Sequence, residues 1–264
     1  MIKFNVFITD DLHPAIPEKL EKVSEKIGVA VEYHVYESQG KTLDDVHEAH
    51  GNVLTELLAR AGRDEVVCFL DVDCLPYSLT DLEHCYEWAL ESKSFIGNAQ
   101  NISHTSKRNR VYVAPSMMMV HKQAWLNLKS PDLACYKNGE DDDSLIDTAQ
   151  LLTNRAIETG FEYKILLPIG YDDSKLVYKL GPYGFYGRGT KYPGTWHFFR
   201  MSSFKNGTHP LWEARVGEIL SGKKIRPVFN SIGLDTRRMI PLNHRFSLRS
   251  SIFRRLRNFV VKYL

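Results

Sequence analysis

No apolar run in this chain is long enough to cross a membrane as a helix. Cysteine is scarce. Cys68, Cys74, Cys85 and Cys135 form no CxxC pair, and this spacing points to buried or incidental thiols in a reducing cytoplasm. The opening MIKFNVFITDD lacks the look of a secretory leader, because its short apolar run is broken by Asn5 and Thr9. Internal repeats, low-complexity segments and a convincing interdomain linker are also missing.

One further absence is local. Residues 237–264 contain no Asp or Glu but eight Arg or Lys, while the other 236 residues hold 26 basic and 32 acidic side chains, a net −6. The stretch SLRSSIFRRLRNFVVKYL has helical periodicity. Leu248, Ile252, Leu256, Phe259 and Tyr263 make an apolar arc, and Arg254, Arg255, Arg257 and Lys262 fall mostly opposite. A basic amphipathic helix of this kind predicts peripheral attachment to an anionic membrane surface. No aromatic stacking platform or known binding motif accompanies the basic residues, so nucleic acid is not the expected partner. We therefore expect one domain over residues 1–236, a basic tail over 237–264, and a cytoplasmic protein held at a membrane.

What the chain does contain is an ordinary globular composition, 43% hydrophobic and 25% charged over 264 residues, enough for one large core. Strands are expected at Phe4–Ile8, Val29–Tyr36, Val66–Leu70 and Phe95–Gly97. Between them the periodicity predicts helices at Glu18–Ile27, Leu43–Ala61 and Leu79–Leu90. This alternation argues for an α/β fold with a mostly parallel sheet and helices on both faces, where ligands bind beyond the carboxyl ends of the strands. The second half predicts a strand at Val111–Val120, a short helix at Lys122–Leu128, a helix at Ser144–Thr159 and a strand at Tyr163–Leu167.

At the end of the buried run VVCFL stand Asp71-Val72-Asp73. A DxD triplet is common, with about one expected by chance at this length, and Asp141-Asp142-Asp143 contains a second. The first is informative through its placement. On a strand, residues i and i+2 point the same way, and two converging carboxylates at a buried end need a compensating charge. A hard divalent cation, Mn²⁺ or Mg²⁺, which also holds substrate phosphates, is the natural one. Farther on, NGEDDDSLIDTAQLL gathers four consecutive acids. Helix capping and the macrodipole explain one or two of them. The rest suggest a general base facing a substrate pocket.

These segments resemble the GT-A glycosyltransferases. HEAHGNVLTELLARAGRDEVVCFLDVDCLPYSLTDLE is similar to the nucleotide-binding half of the family 2-like group, and GEDDD is similar to the acidic motif of the β4-galactosyltransferase-like inverting enzymes. The resemblance covers roughly residues 1–200 and implies a GT-A-like fold that moves a sugar from a nucleotide-diphospho-sugar to a hydroxyl of a glycan or lipid-linked acceptor. It implies that Asp71 faces the ribose and Asp73 the metal, with His197 of Thr195-Trp196-His197 as a further metal ligand. Gly51 matches the family's helix glycine, and His50 stands where family 2 usually has Asn. Thr9, Tyr36 and Glu37, at the ends of the first two strands, are the implied nucleobase contacts. Asp141 is the implied base, with Glu140, Asp142 and Trp196 on the acceptor side. Asp143 is a second candidate base, sharing a predicted helix face with Asp147. The family's tryptophan before the glycine pair is replaced by Tyr136-Lys137-Asn138.

The glycine-rich stretch GPYGFYGRGTKYPGTWHFF suits a lid that orders over the donor, with Arg188 and Lys191 meeting the diphosphate. His47 and His50 are three apart on a helix, but no second Cys or His pair supports zinc. Two alternatives stay open at this point. One is a nucleotidyltransferase, against which FITDDLHP shows no basic glycine-rich signature after the first strand. The other is a non-catalytic sugar- or nucleotide-binding module at a membrane.

Overall fold

A computed structural model describes residues 1–101, 111–137, 145–172, 177–180, 185–199 and 207–223. The first half alternates as the sequence predicts: β1 Lys3–Thr9, α1 Ala15–Ile27, β2 Ala30–Tyr36, α2 Leu43–Arg60 and β3 Val66–Leu70. Helix α1 starts before Pro17 and stops where Gly28 takes a left-handed φ of 94°, a conformation with no steric cost for glycine. Helix α2 opens with a capping box, in which the Thr42 side chain accepts from the Asp45 N–H and the Asp45 carboxylate accepts from the Thr42 N–H. All five residues of β3 are buried, as its unbroken apolar run requires of a central strand.

The chain continues through β4 Cys74–Pro76, α3 Leu79–Ser92, β5 Phe95–Asn101, β6 Val111–His121 and α4 Lys122–Asn127. It then forms β7 Tyr136–Lys137, β8 Leu145–Ile146, α5 Gln150–Thr159, β9 Lys164–Leu166, β10 Gly170–Tyr171 and β11 Val177–Lys179. The described part ends with β12 Phe185–Lys191, β13 Thr195–Phe198 and α6 Pro210–Leu220.

The central sheet has the order β2-β1-β3-β6-β5-β9. Neighbours pair in parallel except that β6 runs antiparallel to both β3 and β5. The result is an α/β fold with a mostly parallel sheet, one reversed strand and helices packed against it, and its core draws on both. A smaller sheet joins β10, β12, β13 and β4, with β11 also on β12. Strands β4 and β13 pair across some 120 residues of chain, with His197 opposite Cys74. The four cysteines are free, and Cys68, Cys74 and Cys85 are buried. Among the described residues no helix is long and apolar enough to cross a membrane.

Three expectations change. The helix expected from Ser144 begins at Gln150. Leu145–Ile146 are extended, and Ala149 sits at a left-handed φ of 63° that an α-helix cannot accommodate. Asp147 therefore lies outside the helix, whose face it was expected to share with Asp143, itself outside the described residues. Over its described residues 185–198 the glycine-rich stretch is an ordered β-hairpin where a flexible loop was expected. Finally, Asp71-Val72-Asp73 is the turn that links the two sheets, not the last residues of a strand, since Cys74 N–H donates to the Asp71 carbonyl at 2.9 Å.

Candidate metal centre

The link between the sheets creates the site. Asp71 N–H donates to the Ser116 carbonyl of β6 at 3.3 Å, which ties the turn to the central sheet. Phe198 N–H donates to the Asp73 carbonyl at 2.9 Å, which ties it to the small one. Between these anchors the two carboxylates converge. Strand β13 then brings His197 alongside, with Nε2 3.1 Å from Asp73 Oδ1. One ligand atom from each of Asp71, Asp73 and His197 lies within 4.8 Å of the other two. They sit at the carboxyl ends of the parallel strands, where such sheets bind ligands.

The electrostatics of this group are unbalanced. The Asp71 carboxyl is pushed up to about 7, first by burial and then by the charge of Asp73. Burial works against a charged His197 ring, but the charge and hydrogen bond of Asp73, with the charge of Asp71, outweigh it and raise its pKa. The other ring nitrogen, Nδ1, is buried without a hydrogen-bond partner. A buried and a partly exposed carboxylate with excess negative charge beside an imidazole are the donor set a divalent cation needs, and the imidazole suits Mn²⁺ better than Mg²⁺.

Around this centre the remaining candidates divide. His50 projects from α2 with Nε2 3.9 Å from Asp71 Oδ1, and its ring stacks on Phe7 at 4.8 Å between centroids. Burial, then the neighbouring His47, pushes its pKa down to about 4, so the ring is neutral near pH 7. Phe7 in turn meets Tyr36 at 6.0 Å. A row of rings therefore leads from the end of β2 to Asp71. Thr9 pairs with Tyr36 at the strand ends, and Glu37 is exposed beside them. Gly51 has a packing reason of its own: a Cβ there would stand 2.2 Å from Ala134 Cα, so only glycine lets α2 lie this close to the segment that follows α4.

Trp196 corrects an expectation. It is 1% exposed, and its indole N–H donates to Asp172 Oδ2 at 2.8 Å. Successive residues of a strand face opposite sides, so the side of β13 that presents His197 to Asp73 turns Trp196 away, into a cluster with Asp172 and Arg215. It has no surface left for an acceptor. Arg188 lies over the Phe198 ring at 5.7 Å and Lys191 Nζ over the Tyr77 ring at 5.3 Å; opposite Phe198 and Trp196 in the β12–β13 register, both stand on the face turned away from His197, which corrects the expectation that they meet a diphosphate at the metal centre. Glu140, Asp141, Asp142 and Asp143 lie outside the described residues, as do Gly181 and Gly184 and everything from 224 onward.

Sequence reasoning undervalued Asp147. The Tyr112 hydroxyl donates to its Oδ2 at 2.6 Å, and the Thr148 N–H to its Oδ1 at 2.8 Å. Its charge reaches Asp71 and His50. The helical reading of residues 144–149 hid it.

No protein-family model matches this chain, and no curated protein matches it. Among solved structures it is similar to the galactosyltransferase LgtC in complex with donor and acceptor sugar analogues. The identity is 11% over 81% of this chain and 83% of that one, with a TM-score of 0.35. At that distance nothing is carried over from it.

Proposed function

We propose that the chain is a metal-dependent glycosyltransferase of the hexosyltransferase type. It takes a sugar from a nucleotide-diphospho-sugar and places it on a hydroxyl of a glycan or lipid-linked acceptor. The observation that carries this reading is the convergence of Asp71, Asp73 and His197 at the carboxyl ends of the parallel strands. Asp73 and His197 would hold Mn²⁺ or Mg²⁺, with Asp71 between the cation and the donor's ribose. When bound, the cation neutralises charge on the leaving diphosphate.

The chain's own groups do the rest. The ring row of Tyr36, Phe7 and neutral His50 supports a donor laid across the ends of β1 and β2, with Thr9 and Glu37 at its base end. Asp141 takes the proton of the attacking hydroxyl as its oxygen bonds to the anomeric carbon. The bond to the diphosphate breaks in the same step, its electron pair departing with the leaving group on the opposite face, and the centre inverts. Glu140 and Asp142 hold the acceptor. The acid-free tail, with its eight basic residues, supports work at the cytoplasmic face of an anionic membrane on a polysaccharide or lipid-linked precursor.

The test is a thermal-shift screen with UDP-, GDP-, CMP- and dTDP-sugars, with and without Mn²⁺. A true donor stabilises by mass action, and more with the metal. In the Asp141→Asn variant donor stabilisation survives while turnover vanishes. Failure of every diphospho-sugar to stabilise the protein in Mn²⁺ defeats the reading.

A further inference from the structure

Behind the metal centre lies a polar residue that neither the fold nor the expected chemistry explains. Asn98 is fully buried in β5, in a core otherwise rich in Val, Met and Phe. The β5–β6 register shifts between Gly97 and Asn98. A Cβ on Gly97 would lie 2.3 Å from the Met117 carbonyl, so this glycine is what allows β5 to approach β6 at the irregularity. The Asn98 amide is thereby aimed between the sheets. Its Nδ2 donates to Thr195 Oγ1 at 3.2 Å, and lies 3.5 Å from Ser116 Oγ and 3.9 Å from Cys74 Sγ.

Those three partners touch the three ligand positions. Cys74 follows Asp73 directly. Thr195 stands two residues before His197 on the same face of β13. Ser116 supplies the carbonyl that receives the Asp71 N–H. One amide nitrogen, with two N–H donors, therefore bonds to Thr195 and lies within reach of a neighbour of each of the other two metal-ligating residues, and it spans both sheets whose junction forms the site.

We propose that Asn98 is a positioning residue that sets the spacing of Asp71, Asp73 and His197 for a divalent cation. The inference rests on the proposed metal site and names the device that holds it. A buried amide is costly unless its hydrogen bonds are made, and once made they admit few alternative arrangements. Strands β4 and β13 hold Asp73 and His197 together through their own ladder, but that pair must still be set against Asp71, which is anchored on β6 of the central sheet. Asn98 supplies that tie from β5. Had its role been only to fill the core, an apolar side chain of the same size would serve as well.

The experiment compares Mn²⁺ binding by wild type, Asn98→Leu and Asn98→Ser, read as loss of the free Mn²⁺ paramagnetic resonance signal. Melting of each protein in EDTA is followed in parallel. Asn98→Leu keeps the branched shape and removes the amide. Asn98→Ser leaves a hydroxyl and room for a water to reach Thr195. Ser94→Ala removes a buried hydroxyl that bonds to the Glu162 carbonyl, remote from the ligands, and is the structural control.

The expected result is that Asn98→Leu melts cooperatively but binds Mn²⁺ at least about tenfold more weakly, or about 1.4 kcal/mol. Asn98→Ser recovers part of the loss, and Ser94→Ala binds as wild type whatever its melting temperature. If Asn98→Leu does not fold, the comparison of Asn98→Ser with Ser94→Ala decides alone. Equal Mn²⁺ affinity in wild type and the Asn98 variants overturns the positioning role and leaves the metal site standing. No Mn²⁺ binding by wild type overturns both.

Discussion

Replacing Asp71 by Asn should stabilise the metal-free protein above pH 7 and disable it as a metal binder. The reasoning starts from the raised carboxyl. In the folded chain Asp71 titrates at about 7 against an ordinary value of 3.8, because burial and then Asp73 oppose its charge. A carboxylate whose folded pKa is raised holds its proton in the native state across the window from about 4 to 7, while the unfolded chain has already released it. Stability therefore falls as pH rises through that window, and the penalty is complete above about pH 7. A shift of about three units is worth about 4 kcal/mol at most. The Asp71 side chain is 27% exposed, so solvent screening leaves about half of that.

His197, whose folded pKa is raised, contributes stability below its unfolded value that is lost as pH climbs through the folded one, so it steepens the same fall. The Asp71→Asn comparison removes the Asp71 titration together with the part of the His197 shift that its charge supplies, while the part due to Asp73 is present in both proteins. The assay is urea unfolding in EDTA at pH 4 to 8.5. At pH 4 the variant and wild type should match within about 0.5 kcal/mol. By pH 8 the variant should be more stable by about 2 kcal/mol, and added Mn²⁺ should stabilise only the wild type. A variant no more stable than wild type at pH 8 would show that the site carries no uncompensated charge, and the case for a cation would lose its electrostatic basis.

Other substitutions test other joints. Gly51→Ala drives a methyl into Ala134 and should cost about 3 kcal/mol of unfolding free energy by urea titration; a neutral outcome would mean that α2 can shift freely over that segment. His197→Ala should weaken Mn²⁺ binding by calorimetry by more than about tenfold while the protein still folds, and unchanged affinity would remove β13 from the site. Removing residues 237–264 should abolish sedimentation with phosphatidylserine vesicles at low salt, given attraction of about 1 kcal/mol for each basic residue near the surface. Binding that persists without the tail, or that ignores 0.5 M salt, assigns attachment elsewhere.

How much could be read in advance varies from element to element. Strand β3 matches its expected bounds, because a buried strand is a continuous apolar run and nothing else in the neighbourhood competes. Helix α2 matches within a residue, through its periodicity and the turn that follows. The reversal of β6 was not readable, since apolar patterning carries no strand direction. Nor was β4, whose three residues form a strand only because β13 lies beside them. The start of α5 was missed because acids and apolar residues at helical spacing fit either state, and the left-handed Ala149 decides between them. Trp196 and His197 are neighbours with equal claims on paper, and the pleat of β13 sends one to the carboxylates and the other to Asp172.

By itself the sequence determined that strands and helices alternate, that VVCFL runs through the core, and that two acids follow it with a histidine far downstream. These are local facts, set by burial and spacing. Only the tertiary structure decided that the acids sit on a turn between two sheets, that β13 returns across some 120 residues to bring His197 to Asp73, and that Asn98 reaches all three ligand neighbours from beneath. The physical reason is that hydrogen-bonded pairing between distant strands, unlike helical periodicity, leaves no mark on either partner's sequence that identifies the other.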